Sequence, residues 1–314
     1  VVPTTLLAFQ HYQTFKDRFA GLPVTVRHLS RLVSPKDSQQ VKDGLTDGSV
    51  DIVIGTHGLL AESIEFENLG LLVIDEEQHF GVGQKERLKE LRSDLHILTL
   101  TATPIPRTLQ LALAGARDMS IIATPPVDRL AIRSFVLPFD PVVIREAIHR
   151  ELFRGGQVFY VCPHISDLTR VSKRLAELVP DAKIVVAHGQ MAPQELEAVV
   201  KDFNQGKADI LVSTNIIEAG IDIPNANTML VHRADRFGLA QLYQLRGRIG
   251  RSKIRAYAYL TLPAGRILGA AAEKRLAVMQ TLDTLGAGFS LASHDLDIRG
   301  AGNLLGQEQS GNIK

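Results

Sequence analysis

Two acidic residues stand at the end of an aliphatic run, where they could hold a metal ion. Residues 71–74 are Leu-Leu-Val-Ile, and Asp75 and Glu76 follow them directly. In such a pair one carboxylate can bind a nucleotide-bound Mg²⁺ through water, and the other can polarise the water that attacks the phosphate. Acidic residues in this place also cap helices or lie solvated in a loop. The pattern therefore indicates either a phosphoryl-transfer site or a capped turn.

A short basic segment with glycines is the most specific pattern in the chain. Residues 246–251 read Arg-Gly-Arg-Ile-Gly-Arg, and a solvated basic face would have no need of the glycines. Glycine lets a backbone approach a ligand closely. Arg248 and Arg251 could then stabilise the charge of a transferring phosphoryl group, as arginine fingers do. A structural cluster of salt bridges is the alternative interpretation.

Small polar residues follow other aliphatic runs or open a helix. Thr101 and Thr103 flank an alanine after residues 96–100, where they could sense the metal site and pass its state to another domain, or simply cap a tight turn. Helix N-termini and small polar loops also supply backbone N–H groups for phosphates, although a capped helix start has the same appearance. The candidates for such phosphate contacts are Thr4, Thr5, Gly55, Thr56 and His57.

The elements that would position these residues form two series of alternating strands and helices. The predicted strands of the first series are apolar at nearly every position, which is typical of parallel strands buried on both faces. These strands are 24–30, 51–56, 71–76, 96–101 and 119–123. The second series also predicts a parallel sheet, with strands 157–162, 183–187, 209–213, 228–232 and 256–262. The predicted helices are 5–20, 35–47, 106–116, 141–154, 166–179, 193–204, 239–246 and 266–285. Between the two series, the proline-containing segment 124–141 predicts a linker that leads into an edge strand.

The composition is that of an ordinary globular protein and excludes several classes. The 314 residues suffice for two domains, with 45% hydrophobic residues, 22% charged residues and a formal net charge of +1. No apolar stretch approaches the ~18 residues of a membrane helix. The lone Cys162 excludes an internal disulfide and favours a reducing, intracellular compartment. The histidines lack metal-ligand spacing, so we predict no structural zinc, and any nucleic-acid contact must come from local patches.

Seven segments, taken in order, resemble the motif series of the superfamily 2 helicases and translocases. They read PTTLLAFQH (3–11), IGTH (54–57), DEEQ (75–78), TATPIPRT (101–108), AHGQM (187–191), STNIIEAGIDIP (213–224) and QLYQLRGRIGR (241–251). The resemblance implies an α/β fold with two tandem RecA-like parallel-sheet domains that clamp ATP and Mg²⁺, and it implies DNA-dependent ATP hydrolysis. Besides the acids and arginines, it implies nucleotide-cleft positions at Gly220, Asp222 and Gln244. It further implies contacts with duplex phosphates at His188, Gly189 and Thr214.

Two further stretches narrow the resemblance to the RecG-like group of that superfamily. Residues 75–82 resemble its acidic box, and residues 286–311 resemble the motif after its motor, in which a helical hairpin and a loop couple ATP turnover to translocation on duplex DNA. Arg299 and Gln309 match the coupling positions. The tail and the doubled acid favour the bacterial, cytoplasmic branch that displaces stalled RNA polymerase and recruits excision-repair proteins. The alternatives are a RecG-like branched-DNA helicase and a catalytically inert DNA- or protein-binding module.

The chain departs from the family at its first motif. The phosphate-binding loop Gly-x-x-x-x-Gly-Lys-Ser/Thr occurs nowhere in the 314 residues, and the chain begins at Val1 without an initiator methionine or a signal peptide. We therefore expect a fragment with an N-terminally truncated first domain, because the family places this phosphate cradle upstream of residue 3. The expected domains are 1–125, 126–265 and the translocation motif 266–314. We also expect little or no ATPase activity from these residues alone.

Overall fold

The computed structural model describes the chain as two compact units. The described residues are 1–76, 95–101, 118–120, 122, 130–214, 223–251, 253–265 and 268–281. Those of the first unit lie within Val1–Ala102, and those of the second lie within Thr103–Glu218 and Asp222–Lys314. Among the described residues, no helix is long and apolar enough to cross a membrane. The domain borders 1–125, 126–265 and 266–314 stay predictions.

The first unit contains two short pairs of parallel strands. Its elements are helix α1 (Thr5–Arg18), strand β1 (Val26–Leu29), helix α2 (Pro35–Thr46), strand β2 (Ile52–Gly55), a 3₁₀ turn (His57–Leu60), strand β3 (Leu71–Asp75) and strand β4 (His96–Leu100). β1 pairs with β2, and β3 pairs with β4. Three small apolar clusters pack these elements together, and Val1 contacts two of them.

The local sequence explains where the helices of the first unit begin. The hydroxyl of Thr4 precedes α1 and accepts a hydrogen bond from the amide of Leu7. Ser34 accepts in the same way from the amide of Asp37 at the start of α2. Pro35 occupies the first helical position of α2, where its missing N–H has no intrahelical partner to lose. Both helices therefore begin after a short polar side chain that caps the first turn.

The second unit is built around one six-stranded sheet. Its strands are β5 (Arg133–Pro138), β6 (Gln157–Val161), β7 (Ile184–Ala187), β8 (Ile210–Ser213), β9 (Ala226–Val231) and β10 (Tyr257–Leu262). The spatial order is β5-β10-β9-β6-β8-β7, and all neighbours are parallel. Its helices are α3 (Pro141–Phe153), α4 (Ile165–Leu178), α5 (Pro193–Asn204), α6 (Leu239–Arg246) and α7 (Ala270–Thr281). β5 lies at one edge of the sheet, within the segment 124–141 that predicted a linker leading into an edge strand.

The centre of this sheet is buried on both faces. Every residue of β6, β8 and β9 is buried, and a large apolar cluster packs α3 and α4 against the sheet. Helix α4 fits this surface because Leu168, Val171 and Leu175 recur at helical spacing and are its buried residues. Cys162 follows β6 and is buried too, and burial, with the nearby charge of Asp167, raises the pKa of its thiol to about 12. Cys162 therefore packs as a small core residue.

Strands β3 and β4 differ from the expectation of burial on both faces. Leu72 and Ile74 are buried, whereas Leu71 is 58% exposed and Leu98 is 51% exposed. Successive side chains of a strand point to opposite faces, and only one face of this pair packs into the small cluster around Leu60. The expectation is therefore wrong for β3 and β4, whereas the central strands of the second unit are buried at every position.

Most other predicted elements agree with the structure to within two residues at each end. Residues 119, 120 and 122 of the predicted strand 119–123 are not in a strand, and residues 121 and 123 lie outside the described residues. The predicted helix 106–116 also lies outside them. The predicted helix 266–285 is described as α7, and the rest of the translocation motif, from residue 282 onward, lies outside the described residues.

Candidate active site

Asp75 ends β3 and contacts a histidine of helix α1. The amide of Asp75 donates to the carbonyl of Val1 at 3.0 Å, and its Oδ2 lies 3.5 Å from Nε2 of His11. Both side chains are partly exposed. Helix α1 starts after Thr4, so one helix links a predicted phosphate contact to the predicted metal ligand. Sequence reasoning assigned His11 no role, and its place in the segment 3–11 was the only signal available.

Glu76 adopts a backbone conformation that is unusual for a residue other than glycine. Its φ is +55°, in the left-handed region, and its side chain is 9% exposed. The amide of Glu76 donates to the carbonyl of Leu100 at 3.0 Å, which holds the residue against the end of β4. Such strain is found most often at functional sites, where the surrounding structure maintains it. A positioned carboxylate here agrees with the phosphoryl-transfer interpretation better than with a solvated turn.

Thr101 directly follows β4, the neighbour of β3. The parallel register places Asp75 opposite Leu100. Asp75, Glu76 and Thr101 therefore lie at the carboxyl edge of one strand pair, which is where the sheet rule predicts a ligand site. Thr103 lies outside the described residues.

The loop after β2 carries three of the predicted phosphate contacts. A side chain at Gly55 would overlap the carbonyl oxygen of Leu29, so glycine is required there for the close approach of β1 and β2. Thr56 is buried, whereas His57 is exposed. Of these three residues, only His57 thus exposes its side chain to solvent. The glycine at position 55 is explained by the close packing of β1 and β2.

The start of α1 lies beside that loop. The amide of Val2 donates to the carbonyl of Gly55 at 3.0 Å, which brings the residues before α1 to the end of β2. Thr4 uses its hydroxyl to cap α1, and Thr5 is the first helical residue. The capped-helix interpretation is confirmed for Thr4, and it is compatible with a phosphate contact because the first amides of a helix have no intrahelical acceptor.

In the second unit, predicted DNA contacts follow two adjacent strands. β7 ends at Ala187 and β8 at Ser213, and these two residues are partners in the register. His188 and Thr214 therefore emerge at the same edge of the sheet, with Gly189 exposed beside His188. The amide of His188 donates to the Sδ of Met191 at 3.3 Å, which closes a tight turn after β7.

The three arginines of residues 246–251 differ in their surroundings. Arg246 is buried, lies against the ring of Tyr243 and donates from Nη1 to the carbonyl of Met279 at 3.4 Å. It thereby connects α6 to α7. Arg251 is exposed, with Nε 3.3 Å from the carbonyl of Gly247, and Arg248 is half-buried. The geometry therefore leaves Arg248 and Arg251 as the candidates for phosphate and makes Arg246 a packing residue.

The second glycine of this segment has a local reason. Gly250 has a φ of +69°, and a Cβ there would lie 3.0 Å from Ile132 and 3.1 Å from Ala256. Both the backbone conformation and the packing of this chain therefore require glycine. The packing of this chain is therefore enough to explain the glycine at position 250, without the close approach of a ligand.

The remaining predicted positions divide between buried and undescribed residues. Gln244 is 9% exposed on α6. The others lie outside the described residues, and their roles stay predictions. They are Gly220, Asp222, Arg299 and Gln309.

The side chains at this site fit the predicted Mg²⁺, but they supply only part of the predicted ATP site. Asp75, Glu76 and Thr101 offer the oxygen donors that Mg²⁺ prefers, and this ion usually takes one or two protein carboxylates together with phosphate and water. Among the described residues, no group of three His, Cys, Asp or Glu side chains could hold a metal ion by itself. The lysine and glycines of a phosphate-binding loop are absent from the sequence, so the phosphate cradle is not supplied by these residues.

Two protein families match the two units. Residues 1–112 match the DEAD/DEAH box helicase family, and residues 143–253 match the helicase conserved C-terminal domain. The first match contains the acids after β3, and the second contains the arginines after α6. The tandem α/β architecture is thus confirmed as a pair of RecA-like helicase domains.

Curated relatives match over the whole chain. The transcription-repair-coupling factor of Haemophilus influenzae is 56% identical over 314 residues, which are 100% of this chain and 27% of that protein. Those of Escherichia coli and Bacillus subtilis are 55% and 51% identical, again over 100% of this chain and 27% of each protein. The chain therefore spans about a quarter of the length of these relatives.

Solved structures share this fold. A structure of RecG bound to a three-way DNA junction is 37% identical, with a TM-score of 0.74 over 94% of this chain and 39% of that one. Yeast Dbp5 bound to RNA and ADP BeF3 is 16% identical and shares the fold, with a TM-score of 0.67 over 95% of this chain and 80% of that one. The chain therefore combines the two helicase domains whose families it matches, and it is similar along its whole length to the transcription-repair-coupling factors.

Proposed function

We propose that this chain is the motor part of an ATP-dependent double-stranded DNA translocase that displaces stalled RNA polymerase and couples transcription to nucleotide excision repair. The observation that carries the proposal is 51–56% identity to transcription-repair-coupling factors over the whole chain. The presence of Asp75, Glu76, Arg248 and Arg251 supports an active motor, because an inert binding module has no need of all four. We place the parent protein in the bacterial cytoplasm.

The first unit would hold the metal ion and the attacking water. Bound ATP would supply the phosphoryl group that is transferred to water, and Mg²⁺ would neutralise charge on its phosphates. Asp75 would hold the ion, and Glu76 would orient and polarise the nucleophilic water. The backbone of Glu76 is tied to Leu100, so its carboxylate keeps a defined position. Thr101 and Thr103 would pass the state of this site to the second unit.

The second unit would stabilise the charge that develops on the transferring phosphate. Arg248 and Arg251 would serve this purpose, and Arg246 packs α6 on α7. Loss of an arginine finger lowers rates by ~10³–10⁵ in comparable sites. The remaining positions would contact the nucleotide or the partner domain, and they are Gly220, Asp222 and Gln244.

Contacts with duplex DNA would come from strand-end loops of both units. Backbone amides and small polar side chains bind phosphates without reading bases, so binding should be nonspecific and should weaken with salt. Arg299 and Gln309 would couple ATP turnover to movement. The residues proposed to face DNA phosphates are Thr4, Thr5, Gly55, Thr56, His57, His188, Gly189 and Thr214.

A RecG-like branched-DNA helicase is the second candidate. The structural similarity to RecG, at a TM-score of 0.74, favours it. The sequence identity to that structure is 37%, against 51–56% to the coupling factors, so we prefer the first candidate. The two candidates share the motor and differ in the substrate that it acts on.

A segment exchange tests the proposed function. The matching segment of the Escherichia coli transcription-repair-coupling factor is replaced by these 314 residues, and release of stalled RNA polymerase is measured in purified form. We expect release to be retained, and to fall ~10³-fold or more with Arg248→Ala. Arg133→Ala, an exposed arginine of β5, is the matched control and should leave release unchanged. A folded exchange protein that remodels branched DNA but never releases the polymerase would favour the RecG-like alternative.

The isolated 314 residues provide a second test. Because they contain no phosphate-binding loop, we propose that they hydrolyse ATP little or not at all, with or without duplex DNA. Phosphate release is measured at saturating ATP beside the Glu76→Gln variant as the blank. Robust turnover that Glu76→Gln abolishes would refute this part of the proposal.

A further inference from the structure

An exposed surface of aromatic and arginine side chains lies where α3 ends beside the start of β10. Phe153, the last residue of α3, is 95% exposed, and Phe135 on the edge strand β5 is 40% exposed. Arg150 precedes Phe153 by three residues, so the two share a face of the helix. We call this surface the arginine–aromatic patch, and its residues are Phe135, Arg150, Phe153, Arg154, Arg255 and Tyr257.

Contacts within the second unit join the patch into one continuous surface. The guanidinium carbon of Arg150 lies 4.3 Å from the ring centroid of Tyr257, and that of Arg154 lies 5.5 Å from the same centroid. Arg150 also donates to the hydroxyl of Tyr259. The ring of Tyr259 in turn stacks on Phe135, with 5.3 Å between the two centroids. The patch therefore extends from α3 across β10 to β5.

The patch carries a positive charge at its surface. Helix α3 contains two acidic residues, and neither balances this charge. Glu151 is 1% exposed and accepts from Arg154, whereas Glu146 lies 3.8 Å from Arg145, more than a turn before the end of the helix. The side chain of Arg255 is exposed beside them, and its carbonyl accepts from Arg154 at 2.8 Å.

The arginines of the patch are held in place by their own neighbours. Within the described residues, the bond to Tyr259 uses one of the five N–H donors of Arg150. An arginine can donate two parallel hydrogen bonds to one carboxylate. Side chains that are already fixed lose less conformational freedom when a partner binds. The patch is therefore well suited to carboxylates.

The same contacts argue against nucleic acid and against a second copy of the chain. Bases stack on free aromatic faces, whereas Arg150 and Arg154 lie over the ring of Tyr257, and Phe135 stacks on Tyr259. A two-fold contact between copies would set this patch against itself, and the repulsion of like charges disfavours that. An acidic protein segment with a large apolar side chain matches both the charge and the exposed phenylalanine.

We propose that the arginine–aromatic patch is a docking site for a separate protein that presents an acidic segment with a large apolar side chain. Its carboxylates would pair with Arg150 and Arg255, and its apolar side chain would pack on Phe153. The patch lies where β10 begins, whereas His188 and Thr214 follow the opposite ends of parallel strands. The inference therefore does not depend on the proposed motor activity.

A peptide library tests the proposal on the whole chain. Random peptides displayed on phage are selected on the immobilised chain in the presence of excess duplex DNA. We expect the selected peptides to be enriched in Asp and Glu together with Phe or Leu. The affinity of the best peptide is then measured by fluorescence polarisation. Phe153→Ser and Arg255→Glu change exposed side chains and should each weaken binding about tenfold or more.

Two control variants make the same chemical changes elsewhere in the second unit. Val142→Ser alters a side chain that is 58% exposed at the other end of α3, and Lys173→Glu reverses an exposed charge on α4. Both should keep the affinity, and so should the exchange protein described above. The proposal is overturned if the selected peptides lack acidic residues, or if the controls weaken binding as much. Displacement of the peptide by single-stranded DNA would identify a nucleic-acid site instead. Self-association of the chain that Phe153→Ser abolishes would identify a dimer contact, and loss of binding in the exchange protein would show that the rest of that protein covers the patch.

Discussion

The two units of this chain use similar strand sequences with different results. In the second unit, β6, β8 and β9 are buried at every position within a six-stranded sheet. In the first unit, β3 and β4 are equally aliphatic, yet alternate residues are exposed and the strands stand in pairs. The comparison shows that an apolar strand sequence makes burial possible but does not ensure it. Neighbouring strands and helices decide how much of it is buried.

The same comparison separates two kinds of functional residue. In the first unit the candidate acids occupy constrained positions: Glu76 has a positive φ, and Asp75 contacts His11. In the second unit the candidate Arg251 is exposed at the end of a short helix, while its neighbour Arg246 is committed to packing. Metal-binding acids need a fixed place, whereas long arginine side chains can reach a phosphate from the rim of a cleft.

The largest expected difference concerns core truncation. Phe159→Ala, in the fully buried β6, should lower the free energy of unfolding of the second unit by about 3–5 kcal/mol. Leu98→Ala, at a half-exposed position of β4, should change that of the first unit by no more than about 0.5 kcal/mol. Hydrogen–deuterium exchange resolved by peptide measures the two units separately. A loss at Leu98 as large as that at Phe159 would show that β3 and β4 are buried after all.

The next largest effect on stability is expected at a buried carboxylate of the second unit. Glu151 is buried at the end of α3, where Arg154 and the hydroxyl of Thr228 donate to its carboxylate. Arg154→Ala should cost about 3 kcal/mol, because it leaves a buried charge without its partner. Denaturant unfolding followed by tyrosine fluorescence reports on this unit. The exposed Arg145 of the same helix provides the control, since Arg145→Ala should have almost no effect.

Loss of a helix cap should lower the stability of either unit by the same amount, since capping depends on local sequence. Asp140 caps α3 by accepting from the amide of Val142 at 2.8 Å, and Ser34 caps α2. Asp140→Ala and Ser34→Ala should each cost about 1 kcal/mol, each in its own unit. Peptide-resolved exchange checks the location. Asp140→Asn and Ser34→Thr should keep most of the stability, and a loss as large as that of alanine would argue against capping.

The smallest effect is a dependence on pH that both units should share. Burial lowers the pKa of His28 in the first unit and of His232 in the second. Because the folded pKa is depressed, the stability contribution is complete above the unfolded value of about 6.5 and is lost as pH falls through the folded pKa. His28→Phe, which can keep the stack on Tyr12, should flatten this acid response in the first unit alone.

His232→Phe should do the same in the second unit alone. Amide exchange at pH 7.5 and pH 5.5 measures both responses. A single substitution that flattened the loss of stability at low pH in both units would contradict this prediction. The acid response would then come from groups other than these two histidines.

Much of the fold could be predicted from the sequence because its signals are local. The aliphatic runs predicted nine of the ten described strands, and β5 lies within the segment 124–141, which predicted a linker that leads into an edge strand. The helix start after Thr4 was also predicted. The order of the motifs predicted two tandem helicase domains, which the family matches confirm. The structure then brings His188 and Thr214, which follow two of the aliphatic runs, to the same edge of the sheet.

The missed features depend on contacts between distant residues. Nothing in a single sequence says that His11 meets Asp75, that Arg246 reaches Met279, or that Glu151 is buried beside Thr228. The packing at Gly250 also depends on distant residues, because a Cβ there would meet Ile132 and Ala256.

The sequence by itself therefore determined the type and order of the elements, the family, and the residues that could do chemistry. These follow from side-chain periodicity, from capping and from motif spacing, all of which act over a few residues. Only the tertiary structure decided which apolar strands are buried, which arginine is used for packing, and how Val1 and Val2 bridge β2 and β3. Burial and pairing are properties of neighbours, and the chain acquires its neighbours only when it folds.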